Sequence, residues 1–164
     1  MRILGIDPGY ERLGIAILEK TSGKEKVVFS ECFKTSAKLK FEERIFLIGI
    51  EIKNIIKKYK PEILAIETLF LNTNQKTAMR VAEVRGVIIY EGISSQLKIF
   101  EVSPLQIKIA ITGYGRADKK QILKMVEKLV DLNYDKKQQE SQKNDDELDA
   151  IAIALTAFAY IKKY

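Results

Sequence analysis

Three strand-length apolar runs, Ile3–Ile6, Leu13–Leu18 and Val27–Phe33, fall within the opening stretch of the chain, separated only by short loops. The first ends at Asp7-Pro8-Gly9, where proline removes a backbone donor and glycine permits a turn, and Thr21-Ser22-Gly23-Lys24 separates the second from the third. Three consecutive antiparallel strands are the simplest reading of such spacing. Phe41, Ile45, Ile48, Ile52, Ile55 and Tyr59 then recur at steps of four, three, four, three and four, which predicts an amphipathic helix stopped by Pro61. Ile63-Leu64-Ala65-Ile66 reads as a short strand ending at Glu67, and a second helix is predicted from about Thr77 to Ser95 after a polar loop. Gly86 inside that helix costs about 1 kcal/mol relative to alanine, which predicts close packing there. Ile99 to Val102 make a fifth strand, and Ser103-Pro104 supplies an N-cap and a first-turn proline for a helix ending near Thr112. Gly113-Tyr114-Gly115 breaks the chain before a helix over Asp118–Leu132. Residues 133–144 are polar without a hydrophobic period and read as a mobile loop, and Asp145–Tyr160 close the chain as a largely apolar helix. This order predicts an α/β fold: one five-stranded mixed sheet, three antiparallel strands then two parallel, with helices on both faces.

The 164 residues, 46% apolar and 30% charged, match one compact domain over 1–164, and neither repeats nor a second core are evident. The chain has no histidine, which removes a Ser-His-Asp triad, an imidazole base and His-ligated zinc. Cys32 is the only cysteine, so neither an internal disulfide nor a paired-cysteine metal site can form. Catalysis must rest on carboxylates, lysines, hydroxyls or a metal. A net charge of +6 suits a polyanionic partner, and suits a solvated lysine-rich surface equally well. No stretch reaches the ~18 apolar residues of a membrane span, and a cytoplasmic protein is expected.

Asp7 and Glu67 each follow an apolar strand, at the strand ends where α/β sheets place their ligands. The last helix opens with Asp145, Asp146, Glu147 and Asp149; 146 and 149 are three apart and 145 and 149 four apart, so either pair shares a helix face. Each acid has a plain alternative. Acids suit a first helical turn, and Asn144 with Glu147 reads as a capping box, which accounts for Asp145 and Glu147 without any ligand. Asp7 reads as a turn-forming residue before Pro-Gly, and Glu67 as a solvent-facing strand end. Yet acids at three separated places fall at one edge of the predicted sheet. Clustered carboxylates repel and keep protons unless a cation is present. An oxygen-only site suits magnesium or manganese, and two such ions about 3.5–4 Å apart can activate a water and stabilise the leaving oxygen of a phosphodiester.

Gly5-Ile6-Asp7-Pro8-Gly9, Ala65-Ile66-Glu67, Arg85-Gly86 and Asp146-Glu147-Leu148-Asp149-Ala150, in this order over nearly the whole chain, resemble the RuvC family of bacterial Holliday-junction resolvases. The resemblance implies an RNase H-like fold, a homodimer, and an active site with two Mg2+ ions (Mn2+ as a substitute). It also implies paired nicks placed symmetrically across a four-way DNA junction during recombination and repair, with RuvA and RuvB as branch-migration partners. Carried over by motif, Asp7, Glu67, Asp146 and Asp149 are the metal-binding catalytic acids, Phe70 is an aromatic that stacks on a base near the crossover, and Lys108 and Lys119 contact DNA near the scissile phosphate. By their position alone these two lysines would be ordinary solvated helix residues. Tyr10 and Leu13 stand where the family more often has small or hydroxyl residues, and the 133–144 segment is longer than usual for it. The alternatives are an RNase H-fold nuclease of the YqgF type acting on RNA, which shares the Gly-Ile-Asp-Pro-Gly opening, and a non-catalytic junction-binding module. A sugar-kinase or actin-like ATPase would need a second domain that this length does not supply.

Overall fold

The computed structural model describes residues 1–21, 23–69, 75–130 and 144–161. Five strands, β1 (Arg2–Asp7), β2 (Arg12–Glu19), β3 (Lys26–Lys34), β4 (Ile63–Glu67) and β5 (Lys98–Val102), form one sheet in the order β3-β2-β1-β4-β5. β1, β2 and β3 pair antiparallel, and β4 and β5 run parallel to β1. This is the five-stranded mixed sheet expected from the order of the apolar runs, and it fits the RNase H-like fold that the family resemblance implies. Because β1 and β4 are parallel neighbours with Ile6 opposite Ile66, their carboxyl ends coincide and bring Asp7 beside Glu67.

The two sheet faces bury separate cores. On one face, α1 (Phe41–Tyr59) and α2 (Gln75–Ser94) cover Leu4, Ile6, Ile15, Ile17, Leu64 and Ile66. On the other, α3 (Pro104–Thr112), α4 (Lys119–Leu129) and α5 (Asp145–Ile161) cover Ile3, Ala16, Leu18 and Ala65. Alternate residues of β1 therefore serve opposite faces, as a strand covered on both sides requires. α1 spans the predicted residues and ends at Lys60, which takes a left-handed conformation before Pro61. α3 begins with the predicted Ser103 cap, whose hydroxyl accepts from the Gln106 amide. α4 ends at Leu129, short of the expected Leu132, because Val130 turns extended and is buried in the core.

Two glycines bring α5 against the sheet more closely than any side chain would allow. A Cβ on Gly5 would stand 2.3 Å from the Ala150 carbonyl oxygen and 2.8 Å from the Ala154 Cβ. One on Gly14 would stand 2.1 Å from the Asp146 carbonyl oxygen. Gly14 pairs with Asp7 across the β1–β2 ladder, so the first turn of α5 is pressed against the strand end that carries Asp7. The expectation of close packing at Gly86 is corrected: Gly86 is exposed and nothing lies within 4 Å of where its Cβ would be, because that side of α2 faces away from the sheet. Residues 133–143 of the expected loop lie outside the described residues.

Candidate active site

Asp7 from the end of β1, Glu67 from the end of β4 and Asp149 from the second turn of α5 line one cleft of about 190 Å³, together with Lys108 of α3 and Lys119 of α4. Pro104, Ile107, Ile122, Ala152 and Ile153 complete its walls. The acids are therefore presented from a partly apolar surface, where charge is poorly solvated. Burial, then the charges of Asp149, Glu67 and Asp146, push the Asp7 carboxyl up to about 7, with Lys119 pulling the other way. Glu67 is raised by burial and then by Asp149. Asp149 is raised by burial, against the hydrogen bond and charge of Lys119.

The helix that carries two of the acids is held at its start by hydrogen bonds within the chain. The Asn144 amide donates to Glu147 Oε1 at 3.4 Å, and Ser30 Oγ donates to Glu147 Oε2 at 2.8 Å, so Glu147 has the capping role read from its spacing. Asp145 is exposed, with Lys119 Nζ 3.7 Å away. Lys119 lies much nearer Asp149, at 2.9 Å. Burial works against the charge on Lys119, but the hydrogen bond and charge of Asp149, followed by Asp145 and Asp7, outweigh it and raise its pKa.

Asp146 is arranged differently. Its charge reaches Asp7, but its carboxylate is not part of the cleft lining. Arg12, the first residue of β2, puts Nη2 2.5 Å and Nε 2.7 Å from Asp146 Oδ2, and the Cys32 thiol donates to the same oxygen at 3.3 Å. Arg12 Nη2 also donates to Asn144 Oδ1. Burial, then the hydrogen bond and charge of Asp146, raise the Cys32 pKa, while Arg12 opposes them, so this thiol stays protonated near neutral pH.

Oxygen-only donors, and a carboxyl that stays half-protonated near neutral pH for want of compensating charge, match what a hard divalent cation requires. Among the described residues no three acidic side chains are already disposed around one ion position. Lys119 instead pairs with Asp149 and Arg12 with Asp146. The chain's own cations stand where neutralising charge is needed.

Several contributors were not legible as site residues. Arg85 donates from Nε to the Glu67 carbonyl at 2.8 Å and places Nη2 2.9 Å from Glu101, which ties α2 to the ends of β4 and β5. Arg12 meets Asp146 across 134 residues of sequence, a pairing no local pattern announces. Tyr10 packs edge-on against Phe41 with ring centroids 5.6 Å apart, and the guanidiniums of Arg44 and Arg80 lie 5.4 and 5.6 Å from its ring centre. Leu13 is fully buried, so its bulk serves the core and not the opening loop. Asp118 caps α4 by accepting from the Gln121 amide. Phe70 lies outside the described residues.

The chain is similar to known proteins over nearly its whole length. The family model described as crossover junction endodeoxyribonuclease RuvC matches residues 3–157. A crossover junction endodeoxyribonuclease RuvC of Caldicellulosiruptor saccharolyticus is 46% identical over 156 residues, 94% of this chain and 90% of that protein. The protein of the same name from Halothermothrix orenii is 44% identical over 155 residues, with the same coverage. Among solved structures, Thermus thermophilus RuvC in complex with a Holliday junction substrate superposes with a TM-score of 0.88 at 26% identity, covering 99% of this chain and 96% of that one. With the family model matched over residues 3–157 and sequence similarity over nearly its whole length, the chain belongs to the RuvC family of crossover junction endodeoxyribonucleases.

Proposed function

We propose that this chain resolves four-way DNA junctions in recombination and repair, by paired and symmetric phosphodiester hydrolysis that depends on divalent metal. The observation that carries the reading is the meeting of Asp7, Glu67 and Asp149 with Lys108 and Lys119 in one cleft at the ends of two parallel strands. Those three acids and Asp146 are the oxygen donors for two Mg2+ ions, with Mn2+ as a substitute, since small hard ions take a few carboxylates and complete their shells with water and substrate phosphate. Bound there, the metal supplies the charge that activates a water and stabilises the leaving oxygen. Asp7 holds a proton on its carboxyl near neutral pH until positive charge compensates for its burial and its acidic neighbours. Lys108 of α3 and Lys119 of α4, both lining the cleft, neutralise the phosphates flanking the cleavage point. Phe70 stacks on a base near the crossover, a role that rests on the sequence resemblance.

Symmetric cleavage needs two such clefts, and α2 supports a homodimer. Met79, Glu83, Gly86, Tyr90 and Ile93 recur along it at steps of four, three, four and three and are all exposed. An exposed stripe that is apolar apart from Glu83, with an open glycine at its centre, suits the close, self-complementary approach of a second copy. One nuclease domain over 1–164 acting in the cytoplasm, with RuvA and RuvB delivering the junction, completes the reading; none of the described helices is long and apolar enough to cross a membrane.

The test offers the purified protein a synthetic four-way junction, a linear duplex of the same sequence and a structured RNA, each with and without Mg2+. Symmetric nicks in the junction that require Mg2+ are expected. Cleavage of RNA in preference to the junction would favour the YqgF-type alternative, and binding of the junction without cleavage under any metal would favour a non-catalytic module.

A further inference from the structure

The two acids on the first turns of α5 are not held alike. Lys119, which pairs with Asp149, is itself a wall of the cleft, where substrate phosphate would compete for it. Arg12 is not in the cleft wall. It sits at the start of β2, opposite Lys34 in the β2–β3 ladder, and reaches Asp146 from outside. Three donors, Arg12 Nε, Arg12 Nη2 and the Cys32 thiol, converge on the single oxygen Oδ2 of Asp146, and the same guanidinium engages Asn144 at the start of the helix. The Arg12 side chain is 48% exposed, so an ion pair there contributes little to folding. Its consequence lies in where it leaves the carboxylate.

We infer that Arg12 is a positioning residue that holds the Asp146 carboxylate beside the cleft through Oδ2, so that drawing Asp146 onto a divalent cation in the cleft works against this ion pair. The inference rests on the proposed metal-dependent reading of the cleft. It makes Arg12 a competitor for one metal donor: its removal raises affinity for the cation and leaves the fold alone. A residue that merely braced the site would act in the opposite direction, because its loss would loosen the donor set and weaken binding.

The experiment measures Mn2+ binding to the full, metal-free chain by calorimetry, without DNA, alongside a melting curve. Wild type is expected to bind Mn2+, and Asp7→Asn to lose that binding. Arg12→Gln is expected to bind Mn2+ roughly two- to fivefold more tightly, the worth of an exposed ion pair, with an unchanged melting temperature. Arg12→Lys, which keeps the charge but cannot set two donors on Oδ2, should fall between. Lys34→Gln, which removes a positive charge from the cross-strand neighbour, should leave affinity as it is. In an Asp146→Asn background, Arg12→Gln should have no effect, since the carboxylate it competes for is gone. Unchanged or weaker Mn2+ affinity in Arg12→Gln overturns the inference. So does an equal gain from Lys34→Gln, which would reduce the effect to a general field, or a gain that survives in the Asp146→Asn background. Wild-type binding that is absent, or indifferent to Asp7→Asn, would instead overturn the metal reading of the cleft, and the inference with it.

Discussion

The two ends of α5 do opposite things. From Ala150 to Phe158 every side chain is buried, and the helix backbone rests directly on Gly5 of β1. At its start, Asp145, Asp146 and Asp149 stay partly exposed, each beside a cation supplied from another element. The apolar end fixes where the helix lies. The acidic end uses that fixed position to hold carboxylates near Asp7 despite their mutual repulsion, at a cost the rest of the helix offsets. Fold and chemistry are thus unequally shared along one helix: the apolar end serves both, and the acidic end serves the chemistry alone.

The largest effect belongs to the cleft that the acidic end of α5 faces. Asp7→Asn removes a carboxylate charge at nearly constant volume and should reduce junction cleavage by about a thousandfold or more while junction affinity stays within about twofold, read by single-turnover cleavage and by titration in Ca2+. Cleavage at the wild-type rate would remove Asp7 from the site. At the apolar end, Gly5→Ala forces a methyl group into the Ala150 carbonyl and should cost about 1–3 kcal/mol in a denaturant titration. Because it lifts α5 from the sheet, its cleavage rate should fall too; a stable, fully active Gly5→Ala protein would break the claim that this contact positions the acids. Lys119→Ala should lower the slope of log affinity against log salt by about 0.9 on duplex arms. Smallest of all is Asp145→Asn, whose carboxylate is exposed and lies outside the cleft lining: stability should move by less than about 0.5 kcal/mol and cleavage only slightly.

The periodicity of α1 and the stop at Pro61 made that helix readable to the residue, since local pattern and tertiary burial agree there. Asp7 and Glu67 were readable as neighbours because parallel pairing aligns strand ends, an inference from topology alone. Gly86 shows where the same reasoning fails. A glycine inside a helix says that something comes close or that nothing needs a side chain, and sequence does not say from which side. The pairing of Arg12 with Asp146 was illegible for another reason: it joins a strand start to a helix start through side-chain reach, which leaves no periodic trace. α4 ends at Leu129, with Val130 extended and buried in the core, a tertiary placement that the helical periodicity does not announce.

The central claim is that the acidic end of α5 and its partners are arranged for a cation and not for stability. In the metal-free fold the Asp7 carboxyl titrates near 7, well above its ordinary value of 3.8. The folded chain therefore binds more protons than the unfolded one between those values, and this group's contribution to stability declines as pH rises through that window and stays lost above it. Asp7→Asn removes the group. The decisive measurement is the melting temperature of metal-free wild type and Asp7→Asn from pH 4 to pH 8, repeated with Mg2+. The account predicts that the variant's advantage grows from about pH 4 to about 7, reaching on the order of 2–4 kcal/mol, and that Mg2+ stabilises wild type but not the variant. An Asp7→Asn protein that melts below wild type at pH 8 without metal would contradict it, showing that Asp7 serves the fold.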